Sequence, residues 1–95
     1  MPVVFSPAAE RDLESIGDYI AADNPSRAIT FLREIRERCK TLEESPRAAP
    51  QRDDIAPGIR MVVQGRYLIF YSLDDDCLRI ERILHSARNI PGLIS

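Results

Sequence analysis

Ninety-five residues leave room for one hydrophobic core, so residues 1–95 are read as a single domain. With 44% hydrophobic and 29% charged residues the composition is ordinary globular, which excludes a disordered, collagen-like or disulfide-dense chain. A net charge of −2 argues against a broad basic face that grips nucleic acid, and no run nears the ~18 apolar residues of a membrane span.

Val3-Val4-Phe5 reads as a short opening strand. Ser6-Pro7 then starts a helix, with Ser6 as N-cap and Pro7 at the first helical position; Ala9 stands where a capping box would need Glu. Ala9, Leu13, Ile16 and Ile20 form its apolar stripe, with Glu10, Arg11, Asp12, Glu14 and Asp18 off it. Asn24-Pro25-Ser26 punctuates the chain and restarts a second helix with the stripe Ala28, Leu32, Ile35, Cys39, Leu42, widened by Ile29 and Phe31. On its wet face Glu34 and Arg38, and Arg36 and Lys40, fall at i,i+4 spacing. The two helices are expected to form an antiparallel hairpin.

Pro46, Pro50, Pro57 and Gly58 mark an ordered crossing loop. Periodicity then becomes that of strands. Ile59, Met61 and Val63 alternate with Arg60, Val62 and Gln64, and Gln64-Gly65 turns the chain into Tyr67-Leu68-Ile69-Phe70-Tyr71, a run apolar on both faces and so a central strand. After the Ser72–Asp76 turn, Leu78, Ile80 and Leu84 alternate with Cys77, Arg79, Glu81 and Ile83 in a third strand. The class is α+β: an N-terminal strand, an antiparallel helical hairpin and a three-stranded antiparallel meander, with the hairpin on one face of the sheet.

Chemistry-bearing residues are few. Cys39 and Cys77 with the single histidine cannot fill a four-ligand zinc site, and they point to a reduced, cytoplasmic chain; Met1-Pro2-Val3-Val4-Phe5 has no leader pattern. Asp74, Asp75 and Asp76 read as a solvated turn, so no metal or other cofactor is expected. His85, between Arg82 and Arg88, is either a general base or a backbone-bonded histidine. Tyr19, Tyr67, Phe70 and Tyr71 offer stacking surfaces, or core packing for Phe70 and at least one tyrosine. Arginine dominates the cations, with Lys40 the only lysine; from Ile59 onward five arginines face four acids, while the first 58 residues carry eight cations and eleven acids. A modestly basic sheet beside an acidic hairpin follows, its arginines facing a partner or simply pairing with Glu81.

Gly58-Ile59-Arg60, Gly65 to Tyr71, and Arg79 to Ile90 resemble the ParE toxins of the RelE/ParE toxin–antitoxin superfamily, as does the opening Phe5 to Leu13 with Ile16 to Ile20. Asn89 stands where many relatives have aspartate. The resemblance covers essentially the whole chain. It implies a toxin encoded beside a ParD-like antitoxin, bound to it as a hetero-oligomer, acting on DNA gyrase without catalysis and without binding nucleic acid alone. Arg66, Arg79, Arg82 and Arg88 are then the target-contact candidates. The RelE branch implies instead a ribosome-dependent mRNA endoribonuclease, for which His85, Arg82 and Arg60 are the catalytic candidates, although the meander has no lysine and no tyrosine after Tyr71. A third implication is a non-toxic antitoxin-binding partner in operon autoregulation.

Overall fold

The computed structural model describes residues 1–88. Asn89 lies outside them. Strand β1 (Val3–Phe5) ends where Ser6 takes an extended N-cap conformation and its Oγ accepts the Ala9 N–H at 2.9 Å, starting α1 (Pro7–Ala21). Asn24 does the same for α2 (Pro25–Thr41), accepting the Arg27 N–H at 3.1 Å. Both caps, and proline just inside each start, are as the sequence predicts.

The meander follows as β2 (Arg60–Gln64), β3 (Tyr67–Leu73) and β4 (Leu78–His85). The sheet order is β1-β4-β3-β2, with β1 parallel to β4 and the other neighbours antiparallel. Two central strands result, and β3 is the predicted one, burying Ile69, Phe70 and Tyr71 completely. Gly65 has φ 60° and Arg66 has no positive φ, the pattern of a two-residue II′ hairpin turn.

The main core lies between sheet and hairpin, where Leu13, Ile16, Phe31, Ile35 and Cys39 meet Val62, Ile69, Tyr71, Leu78, Ile80 and Ile83. A second cluster covers the opposite face, where Ile55 and Ile59 of the crossing loop pack on Phe70 and Leu84. The loop is tied down by polar contacts as well: the Tyr71 hydroxyl donates to the Pro46 carbonyl at 2.7 Å, and the Asp53 carboxylate accepts the Gly58 N–H at 2.9 Å.

Four local expectations change. On β4, Ile80 pairs with Tyr71 but Arg82 with Phe70, so Glu81 is an extra residue; this bulge flips the alternation, sending Ile83 to the main core and Leu84 to the other face. On β2 the side facing the hairpin carries Val62, and Val63 stays 57% exposed because the crossing loop reaches Ile59 and Met61 but not the strand's end. Ile29 does not widen the second stripe: it is 62% exposed, since only Ala28 and Phe31 of that turn face the core. The ion pairs differ too, because Glu34 pairs with Arg27 and Arg36 reaches across the hairpin to Glu10 at 3.1 Å, stacking over Phe5.

Candidate functional site

Among the described strands β1 pairs with β4 along Leu78–Ile80 and no further, so it stops short of Glu81 to Ile83. Side chains of α1 and its cap take the strand's place. Ser6 Oγ donates to the Glu81 carbonyl at 2.8 Å, and Asp12 Oδ2 accepts the Ile83 N–H at 2.9 Å. The same carboxylate grips Arg82 in a two-pronged pair, Nε to Oδ2 at 2.8 Å and Nη2 to Oδ1 at 2.9 Å. Both side chains are largely buried, at 23% and 12% exposed. Asp12 holds the Arg82 guanidinium still more firmly protonated than usual, with burial opposing.

Arg60 has a comparable task at the other end of the sheet. Its Nη1 donates to the carbonyls of Arg47 and Ala49 at 3.0 and 2.7 Å, clasping the crossing loop. Arg60 lies opposite Tyr71 and His85 opposite Tyr67. Four residues of β3 separate those positions, about 13 Å at the usual strand rise. His85 Nδ1 accepts the Ala87 N–H at 3.1 Å, and its ring stands edge-on to Tyr67 at 5.3 Å. The three residues named for nuclease chemistry therefore do not converge.

The target-contact candidates fall into two groups. Arg79 and Arg82 line a cleft of about 560 Å³ between the start of α1, the crossing loop and β4, together with Arg11 of α1. Glu81 is the one acid there among the described residues; it takes Arg79 Nε at 3.0 Å on one oxygen and the Ser72 hydroxyl at 2.8 Å on the other. Arg66 and Arg88 sit at the opposite end of the molecule, both exposed, beside Tyr19, Tyr67 and His85. Tyr71 and Phe70 are core residues, whereas Tyr19 is 78% exposed and Tyr67 half-buried. Burial, and then the neighbouring Tyr19, push the Tyr67 phenol upward. Sequence reading missed Arg11 and the role of Asp12, for both are ordinary off-stripe helix positions until β4 is placed beside them.

Asp74 closes the β3–β4 turn with its own side chain, Oδ1 accepting the N–H groups of Asp76 and Cys77 at 3.0 and 2.8 Å. Those bonds, the Cys77 one first, lower its carboxyl pKa. Among the described residues no group of three or more His, Cys, Asp or Glu is placed to hold a metal ion. No described helix is long and apolar enough to cross a membrane.

A two-helix hairpin over a four-stranded mixed sheet is the architecture of the RelE/ParE-like toxins. It is similar to a chain of the chromosomal ParDE TA system from P. aeruginosa, with a TM-score of 0.80 and 22% identity over 90% of this chain and 95% of that one. It is also similar to a chain of the toxin–antitoxin complex RelBE2 from Mycobacterium tuberculosis, with a TM-score of 0.63 and 26% identity over 88% and 95%. None of the curated proteins matches the chain. Residues 3–90 match the family described as ParE toxin of type II toxin-antitoxin system, parDE, and the chain belongs to that family.

Proposed function

We propose that this toxin arrests growth by poisoning DNA gyrase, without catalysing RNA cleavage, and that a ParD-like antitoxin neutralises it in the cytoplasm. The observation that carries the non-enzymatic reading is the dispersal of the nuclease candidates. Arg82 is held by Asp12, Arg60 clasps loop carbonyls, and His85 stands at the far end of β3 from Arg60. Proton transfer needs its groups within hydrogen-bond reach of one reacting centre, and these side chains serve the fold instead. Family membership supports the toxin role, and the two similar structures come from toxin–antitoxin systems. For contact with the target we assign Arg66, Arg79 and Arg88, whose guanidinium groups reach solvent, and give Arg82 the task of holding α1 to β4.

The test is supercoiled plasmid incubated with gyrase, ATP and the purified chain, then stripped of protein. Linear DNA is expected only with the chain present, and is expected to vanish when the antitoxin is added. Intact plasmid from a preparation that still arrests cells would sink the gyrase reading. Loss of arrest in His85→Ala, with antitoxin binding kept, would then favour the ribonuclease.

A further inference from the structure

Tyr19 stands 78% exposed near the end of α1 and lines three hollows, two of which it shares with Tyr67 and His85. One, of about 390 Å³, runs between the helical hairpin and the Gly65-Arg66 turn; the other, of about 180 Å³, runs along the end of β4. Tyr67 and His85 wall both. The floors are apolar, from Ile20 and Phe31 in the first and Ile16, Ile83 and Leu84 in the second. The rim is cationic: Arg66 on one side and Arg88 on the other, with Arg27 beyond. Among the described residues Asp12 is the one acid lining either hollow, and its charge is spent on Arg82 as that of Arg27 is on Glu34; Asp23 lines a third hollow beside Tyr19. Two exposed arginines, Arg66 and Arg88, thus flank the most exposed aromatic residue of a chain whose net charge is −2.

We infer that this pair of hollows is the seat of an acidic segment of the neutralising partner, which lays an apolar side chain in each hollow beside Tyr19 and sets its carboxylates against Arg66 and Arg88. The inference rests on the antitoxin reading above and gives it an address. Charge complementarity selects the occupant. Arginine forks match carboxylates two-pronged, and exposed Tyr19 beside half-buried Tyr67 over an apolar floor suits apolar anchors. Single-stranded nucleic acid fits less well, because a phosphate on every nucleotide asks for a continuous basic track, and the cations here stand at separate points of a rim. An antitoxin seated here covers two of the three proposed target-contact arginines, so neutralisation follows from simple occlusion.

The experiment measures binding of the full-length ParD-like antitoxin to the full-length toxin and to Arg66→Glu, Arg88→Glu and Tyr19→Ser variants. All three positions are exposed, and unchanged circular dichroism and Tm certify the fold. Each variant is expected to weaken binding about tenfold or more, and raising salt from about 50 to about 500 mM is expected to weaken the wild-type complex more than the Arg66→Glu complex. Arg11→Glu, the same charge change at the start of α1 and outside both hollows, is expected to bind within about threefold of wild type. Wild-type affinity in all three variants would overturn the proposed seat while leaving the antitoxin reading intact. A folded wild-type chain that ignores the antitoxin would overturn both. Binding of a decameric RNA that competes only in the wild type, with antitoxin affinity unmoved by the variants, would reassign the hollows to nucleic acid.

Discussion

Asp12 does three things with two oxygens: it caps the Ile83 N–H, takes Arg82 from two directions and so fixes α1 against the bulged half of β4. Removing it takes the two-pronged carboxylate from a largely buried guanidinium and the acceptor from the Ile83 N–H. Asp12→Ala is therefore expected to cost about 2–4 kcal/mol in urea denaturation, less than a wholly buried pair because solvent still reaches Arg82. Asp12→Asn, which keeps an acceptor but not the charge, should fall between. Cys39 makes a second prediction at this scale. Burial pushes its thiol from 9.0 up to about 12, against the opposing pull of Arg36 and Arg38. The folded state thus keeps a proton that the unfolded chain releases, so the thiol's contribution is fully present below pH 9.0 and is lost between there and about pH 12. Cys39→Ala should lessen the decline of stability across that window, measured by denaturant midpoint against pH.

Two glycines govern how the elements meet. Gly65 occupies the positive-φ position of the β2–β3 turn, and an added Cβ would touch the Phe31 ring at an ordinary 3.6 Å. The penalty for Gly65→Ala is therefore conformational, about 1 kcal/mol, and should be absent from a variant tested where φ is negative. Gly17 has the opposite logic. Its φ is helical, but a Cβ would come to 2.9 Å from Leu32 Cδ1 across the hairpin. That atom is the end of a half-buried, flexible side chain, so the helix-propensity gain of Gly17→Ala offsets the crowding, whereas Gly17→Leu is expected to cost about 1–3 kcal/mol by forcing α1 and α2 apart. Thermal unfolding of the pair separates the two effects. Strand phase belongs to this scale too: one bulged residue, Glu81, decides that Ile83 rather than Leu84 faces the hairpin.

At the scale of the molecule, a 95-residue chain with one principal core has little stability to spare, and a partner that binds only the folded form adds to it. Antitoxin at about a hundred times its Kd should add about 2.7 kcal/mol and raise the Tm by about 10–20 °C in a thermal scan; an unshifted Tm with binding confirmed would mean that the partner also holds the unfolded chain. The chain's sequence by itself determined the element order, both helix caps, the central position of β3 and the likeness to ParE toxins, because capping, apolar period and turn chemistry act between residues close in sequence. Only the tertiary structure decided that β1 runs parallel beside β4, that Asp12 meets Arg82 seventy positions later, and that Arg60 and His85 stand at opposite ends of β3. The separation of the arginines into two groups was hidden for the same reason. Side-chain direction on β4 turns on a bulge with no sequence mark of its own, and contacts across the sheet edge exist only once distant segments have packed together.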